Sequence, residues 1–108
     1  MSDGNRNGMD DVYIDKFIHE RARLLILTHL ATSQKRDVTF NDLKTALEMT
    51  AGNLSVQLRN LEDAGYVQVT KVIEDRKTVT RVSLTPKGYD EFMAYLNNLE
   101  KIIRTIKE

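Results

Sequence analysis

The chain has 108 residues, 41% of them hydrophobic, with Lys+Arg and Asp+Glu both at 16 and neither Cys nor Trp. That length suits one hydrophobic core, and the lack of Cys excludes disulfide frameworks, thiolate zinc sites, iron–sulfur clusters and redox thiols. Zero net charge argues against a polyanion binder that works by charge alone, since non-specific affinity for nucleic acid comes from phosphate neutralisation by Lys and Arg.

Residues 1–11 contain Gly4, Gly8 and two Asn with almost no apolar side chain, and they read as a disordered tail. They lack the apolar stretch of a signal peptide, and no later run approaches the roughly 18 apolar residues of a membrane span. A soluble, cytoplasmic domain without membrane contact is the expectation.

From 15 to 32, Phe17, Ile18, Ala22, Leu25, Ile26 and Leu30 recur at helical spacing, which predicts an amphipathic helix ending in the polar cluster 32–36. Residues 37–40 are β-prone, and Asn41 is the expected N-cap of a helix over 42–49 with Leu43, Ala46 and Leu47 on one face. Thr50, Ala51 and Gly52 are read as the break before a second helix, 53–64, whose buried stripe is Leu54, Leu58 and Leu61. Gly65 supplies the positive-φ stop. Two short helices joined by about three residues form a helix-turn-helix.

Val- and Thr-rich stretches at 66–73 and 78–84, separated by the charged residues 74–77, predict a hairpin with a four-residue exposed tip. Thr85 as N-cap and Pro86 in the first turn then begin a last helix that runs to about Lys107. Its apolar residues Tyr89, Phe92, Leu96, Leu99, Ile103 and Ile106 are spaced 3, 4, 3, 4, 3, as in a coiled-coil seam. The expected fold is mainly α with a small β-hairpin: a winged helix-turn-helix over 12–88 and a long C-terminal dimerisation helix over 89–108.

In that element order, the second helix of the pair suits a DNA major groove and the hairpin tip an adjacent groove or phosphate track. The segment TAGNLSVQLRNLEDAGYV at 50–67, followed by a charged hairpin and LTPKG at 84–88, resembles winged-helix transcriptional regulators of the MarR and ArsR type, above all their short single-domain members. The similarity spans about residues 17–106. It implies a homodimeric DNA-binding regulator of transcription. Metal-sensing relatives carry Cys or clustered ligands, and this chain has no Cys.

With the three leucines facing inward, a 100° step per residue turns Gly52, Val56, Arg59 and Asn60 outward, with Asn53 and Ser55 beside them. Gln57 lies nearer the core edge and joins the candidates because the resemblance includes a polar contact residue there. Asn, Gln and Arg suit adenine and guanine edges, Val56 a thymine methyl, and Ser55 a phosphate. Gly52 leaves room for backbone N–H groups to approach a phosphate. A merely solvated helix face is the competing reading. On the wing, Arg76 and Lys77 are the leading phosphate or minor-groove candidates, with Lys71 and Arg81 behind them. The competing reading there is a charged turn that blocks edge pairing, which Glu74 and Asp75 favour.

The seam of the last helix lasts two and a half heptads, so folding back on its own domain stays open beside a homodimer interface through Tyr89, Phe92, Leu96, Leu99, Ile103 and Ile106. A two-fold dimer implies a palindromic operator with half-sites about 34 Å apart. Phe17, Tyr89, Phe92 and Tyr95 are candidate walls for a small apolar effector, or else plain core.

His19 and Glu20 begin like a zinc-protease motif, but Arg23 stands where the second His must be, and His29 is too far along the helix to ligate jointly. No catalytic residues, cofactor or metal are expected. The functional expectation is a sequence-specific regulator binding double-stranded DNA, more simply a repressor than an activator. The alternative is a winged-helix protein-interaction module without direct DNA contact. The charge balance is uneven along the chain: residues 35–88 hold nine basic and seven acidic side chains, whereas each flank has one more acid than base.

Overall fold

The computed structural model describes residues 12–108, so the expected tail at 1–11 lies outside the described residues. The elements are α1 (Arg21–Thr32), β1 (Val38–Thr39), α2 (Phe40–Leu47), α3 (Ala51–Asp63), β2 (Val67–Glu74), β3 (Lys77–Leu84) and α4 (Pro86–Lys107). This is the winged helix-turn-helix with a long terminal helix read from the sequence. It has one addition: β1 pairs antiparallel with β3, making a three-stranded sheet in the order β1-β3-β2 where a two-stranded hairpin was expected.

Local chemistry sets the helix ends. Residues 15–19 form a separate turn rather than the start of α1: the Asp15 carboxylate accepts from the Phe17 and Ile18 N–H groups, and Glu20 caps α1 by accepting from Arg23 N–H. α2 is capped by Thr39, whose hydroxyl accepts from Asp42 N–H at 3.0 Å, so Asn41 sits inside the first turn instead of capping it. Thr50 does the same for α3, accepting from Asn53 N–H at 3.1 Å. Ala51 and Gly52, read as a break, therefore belong to the first turn of α3. Thr39 and Thr50 both sit in extended backbone, from which the hydroxyl reaches the N–H three residues on, as an N-cap requires. α2 and α3 are joined through Glu48, in the left-handed region at φ 53°.

The core is built where those faces meet. Leu54, Leu58 and Leu61 of α3 are buried against Ile26, Leu27 and Leu30 of α1, Leu43 of α2, and Val67 and Val82 of the sheet. Each such side chain contributes about 1.5–3 kcal/mol of transfer free energy. Ala46, expected on the inner face of α2, is exposed, and Leu27 takes a core place that the spacing assigned to Leu25.

The hairpin turn is tighter than expected. Glu74 pairs with Lys77, leaving Asp75 and Arg76 as a two-residue turn with φ 51° and 67°. Two positive-φ residues are the mark of a type I′ turn, whose twist matches that of the strands.

The start of α4 is locked to the end of α3 and the start of β2. Gly65 ends α3 at φ +83°. The Thr85 hydroxyl donates to Gly65 O at 2.6 Å and accepts from Gly88 N–H at 2.9 Å, while Thr85 N–H donates to Tyr66 O at 3.0 Å. Gly88 faces the same carbonyl so closely that a Cβ there would lie 2.1 Å from Tyr66 O. α4 then runs unbroken from Pro86, so the expected boundary at 88/89 falls within one helix.

Gly88→Ala forces the helix off the Tyr66 carbonyl and should cost about 1–3 kcal/mol, lowering Tm by roughly 4–8 °C per kcal/mol. A methyl group on Gly52 would meet no atom within 4 Å, so Gly52→Ala should leave Tm unchanged or raised in the same thermal unfolding experiment.

Candidate nucleic-acid interface

α3 lies across the front of the domain with its leucine stripe inward, so its opposite side is set by the helical period alone. Gly52, Asn53, Ser55, Val56 and Arg59 are exposed, Val56 to 56%, whereas Gln57 and Asn60 are half-buried. Beside this face a groove of about 480 Å³ runs between α3 and the wing, with Ser55, Arg59 and Glu62 on the helix side and Val69, Lys71 and Thr80 on the strand side. The structure thus brings Ser55 and Arg59 of the α3 candidates together with Lys71 in one groove. Arg76 and Lys77 stand at the exposed hairpin end, next to Ile73, which is 80% exposed.

Arg81 does not join them. Its Nε and Nη2 grip both oxygens of Glu74 at 2.7 and 3.0 Å, and its Nη1 donates to Asp37 Oδ1 at 2.8 Å. The guanidinium has five donors in a rigid fork and no acceptor, and here that fork is turned onto two carboxylates of its own chain. The expectation of Arg81 as a DNA contact gives way to a bracing role: it ties the residue before β1 to the end of β2 across β3. The hydrogen bonds from Arg81 hold the Glu74 carboxyl below its ordinary range, and the carboxylates hold the Arg81 guanidinium still further above its own. Because Glu74 is spent on Arg81, the remaining charges of the turn are Asp75, Arg76 and Lys77, a net +1.

Two polar links escaped sequence reasoning. Arg23 of α1, its side chain 15% exposed, donates from Nη1 to Gln57 Oε1 on α3 at 3.0 Å. His19 Nδ1 is 2.7 Å from the Tyr95 hydroxyl of α4. Neither pair shares a helix, so no spacing rule signals them; Arg23 on an otherwise apolar helix side was the one available hint. Burial pushes the Tyr95 phenol up, and burial together with the nearby Asp15 and Glu91 charges does the same for Tyr66.

On α4, Tyr89, Leu96, Ile103 and Ile106 are 50%, 37%, 50% and 74% exposed, and Leu99 is half-buried. Tyr13 lies near this helix, its carbonyl accepting from Asn98 Nδ2 at 2.7 Å, with its side chain 68% exposed. Phe92 departs from the expected interface. At 2% exposure it stacks on Tyr95 with ring centroids 6.2 Å apart, inside the core of its own domain. That burial also removes the surface with which Phe92 and Tyr95 were to line an effector cleft. Phe17 is taken up by Tyr66, edge-on at 5.7 Å, and by the Arg23 guanidinium above its ring. Among the described residues no helix is long and apolar enough to cross a membrane.

Comparison with known proteins follows the same outline. A family model described as a winged helix DNA-binding domain matches residues 22–103. An uncharacterized protein from Methanocaldococcus jannaschii is 32% identical over 68 residues, which cover 63% of this chain and 74% of that one. Among solved structures, a transcriptional regulator homologue from Pyrococcus horikoshii is 27% identical with a TM-score of 0.79, over 94% of this chain and 98% of that one. The F27L mutant of MepR from S. aureus, solved bound to an oligodeoxyribonucleotide, is 26% identical with a TM-score of 0.62, over 75% and 58%. These neighbours are transcriptional regulators of the MarR type, the resemblance read from the motifs of α3 and the start of α4.

The Arg81 brace makes a pH prediction. A carboxyl held low by folding stabilises the wing fully above the ordinary glutamate range and loses that contribution as pH falls through the lowered value. In an NMR titration, the Glu74 side-chain carbon should show a midpoint below that of a free glutamate, and Arg81→Met should return it to the ordinary range.

Proposed function

The chain belongs to the winged helix DNA-binding domain family, and on that premise we propose that it is a sequence-specific, double-stranded-DNA-binding regulator of transcription, acting in the cytoplasm as a homodimeric repressor. The observation that carries this reading is the exposed set Gly52, Asn53, Ser55, Val56 and Arg59 on α3, in a domain whose wing ends in a type I′ turn with exposed Arg76 and Lys77. An α-helix fits the major groove, where Arg59 and Asn53 would meet base edges, Val56 a thymine methyl, and Ser55 and the Gly52 backbone a phosphate. Gln57 and Asn60 complete the α3 set, and Arg76, Lys77 and Lys71 take phosphates or the adjacent minor groove. A domain with no other apparatus represses most simply by occluding a promoter.

The dimer reading rests on the apolar strip of α4. Tyr89, Leu96 and Ile103 recur every seven residues, with half-buried Leu99 and exposed Ile106 three residues beyond the last two, and large apolar side chains exposed in one line favour a second copy as their cover. Two-fold pairing would set two α3 helices about one DNA turn apart, roughly 34 Å, on a palindromic operator. An apolar effector would then have to sit between protomers, since Phe92 and Tyr95 are spent on the core. Exposed Ile73 on the wing favours a second reading, a protein-docking module without DNA contact. Light scattering with and without operator-length duplex separates the two: a species indifferent to DNA supports the second.

Binding to promoter fragments from its own genome, across a salt series, tests the main reading; no preference over random DNA at any salt would overturn it. Arg59→Ala should cost roughly 1–3 kcal/mol at one base position, whereas Lys77→Ala should weaken all sequences alike and flatten the salt slope by about one unit. Ile103→Asp should leave the fold intact and yield a monomer in sedimentation, with operator affinity falling steeply because two-site engagement is lost.

A further inference from the structure

Among the described residues, Ile73 is the most exposed large apolar side chain, at 80%. Its direction follows from the strand period. Alternate residues of a strand share a face, so Val67, Val69, Lys71 and Ile73 lie on one side of β2. That side begins in the core at Val67, continues through Val69 and Lys71 in the groove they share with Ser55 and Arg59 of α3, and ends at Ile73. Ile73 therefore projects from the side of the wing that α3 flanks, and the Arg81–Glu74 brace occupies the other side. The ladder is unbroken out to Glu74 and Lys77 and the brace holds that end, so the support under Ile73 is stiff. Strand preference alone is met by threonine, as at Thr78 directly across the ladder.

The surroundings of this apolar side chain are cationic. Lys71 shares its face, Arg76 and Lys77 stand at the turn, and all three are exposed, whereas Glu74 is paired with Arg81. Against these cations the turn sets one acid not so paired, Asp75. An apolar tip among cations fits a cleft with anionic rims, as the minor groove of duplex DNA is between its two phosphate backbones.

We propose that Ile73 is an apolar wedge that enters the minor groove beside the α3 site, partly unstacks one base step there and so kinks the duplex. This rests on the reading of α3 as the DNA-recognition helix. With α3 in the major groove, the groove holding Ser55, Arg59 and Lys71 straddles the phosphate ridge between the two DNA grooves. Ile73 follows about 7 Å farther out along β2, over the minor groove. Opening a step costs least at the flexible pyrimidine–purine steps, TA and CA/TG, so the wedge adds a sequence preference where no hydrogen bond reads the bases. Phosphate contacts from Lys71, Arg76 and Lys77 position the wing and carry no such preference by themselves.

The full chain and the variants Ile73→Thr and Ile73→Leu each select preferred sequences from a pool of randomised duplexes. The native chain should enrich a pyrimidine–purine step at one position flanking the α3 site by about tenfold, the scale of one favourable base pair. Ile73→Thr keeps the strand preference but not the wedge, so it should lose that enrichment while the α3 positions keep theirs. Ile73→Leu retains an apolar tip and should retain the enrichment. In the selected duplex, 2-aminopurine at that step reads unstacking, and dyes at the two ends read the kink. Native protein should raise the 2-aminopurine fluorescence severalfold and bend the duplex by about 20–90°. Ile73→Thr, at unchanged Tm, should leave the step stacked. Unstacking that persists in Ile73→Thr overturns the proposal and leaves Ile73 to a protein contact. So does a native complex whose duplex stays straight and stacked at every flanking position. A native chain that enriches no sequence at all removes the DNA reading itself, and the wedge with it.

Discussion

The Tyr66 carbonyl is the point about which the three functional parts of the domain are set. It accepts from Thr85 N–H at 3.0 Å and lies 2.1 Å from where residue 88 would carry a Cβ, so the α4 backbone can close on it because that residue is glycine. Thr85 adds a bond back to Gly65, the last turn beyond α3. One junction of a few residues therefore fixes where α3 stops, where the wing begins and in which direction α4 leaves. Displacing it would alter the angle between the exposed α3 face and the apolar strip of α4, which on the dimeric DNA-binding reading would change the half-site spacing.

Basic residues divide into two kinds by their surroundings. Arg81 and Arg23 are turned inward, the first clamping Glu74 and Asp37, the second holding Phe17 and Gln57. Arg59, Lys71, Arg76 and Lys77 are exposed around the α3 groove and the wing tip. Formal charge counts Arg81 with the exposed cations, so the +2 of residues 35–88 does not describe the field at the surface. Spending Arg81 on Glu74 removes one cation and one acid from the wing and leaves a turn of net +1. On the DNA-binding reading, a protomer with so small a net positive charge binds weakly without sequence, and affinity depends on dimerisation and base contacts.

Periodicity made the inner stripe of α3, the wing strands and the seam of α4 legible, because burial of Leu54, Leu58 and Leu61 or of Val67 and Val82 follows from the period of the element. Gly65 and the Thr85-Pro86 start were readable from backbone preference. What escaped was decided by contacts between elements. Thr39 and Thr50 won the caps from Asn41 and a later start because their extended backbone aims the hydroxyl at the helix. Leu25, which the spacing placed in the core, is half-buried while Leu27 is buried, because the core presses on α1 from more than one element. Tyr89 and Phe92 sit on heptad positions that serve either a core or a partner; Phe92 is 2% exposed and Tyr89 50%, a split that spacing alone does not decide. Arg81 looked like a free wing cation until β1 brought Asp37 alongside, and β1 itself is two residues long.

Amide chemical-shift mapping tests most directly whether α3 and the wing tip together form the DNA-reading surface. Duplex from the chain's own promoter region is titrated into isotopically labelled protein at moderate salt. Recognition through α3 predicts large shifts at residues 52–60 and 75–77, with the apolar strip of α4 unmoved. Shifts confined to α4 or to Ile73 and its neighbours, or none at concentrations that saturate a specific site, would contradict it.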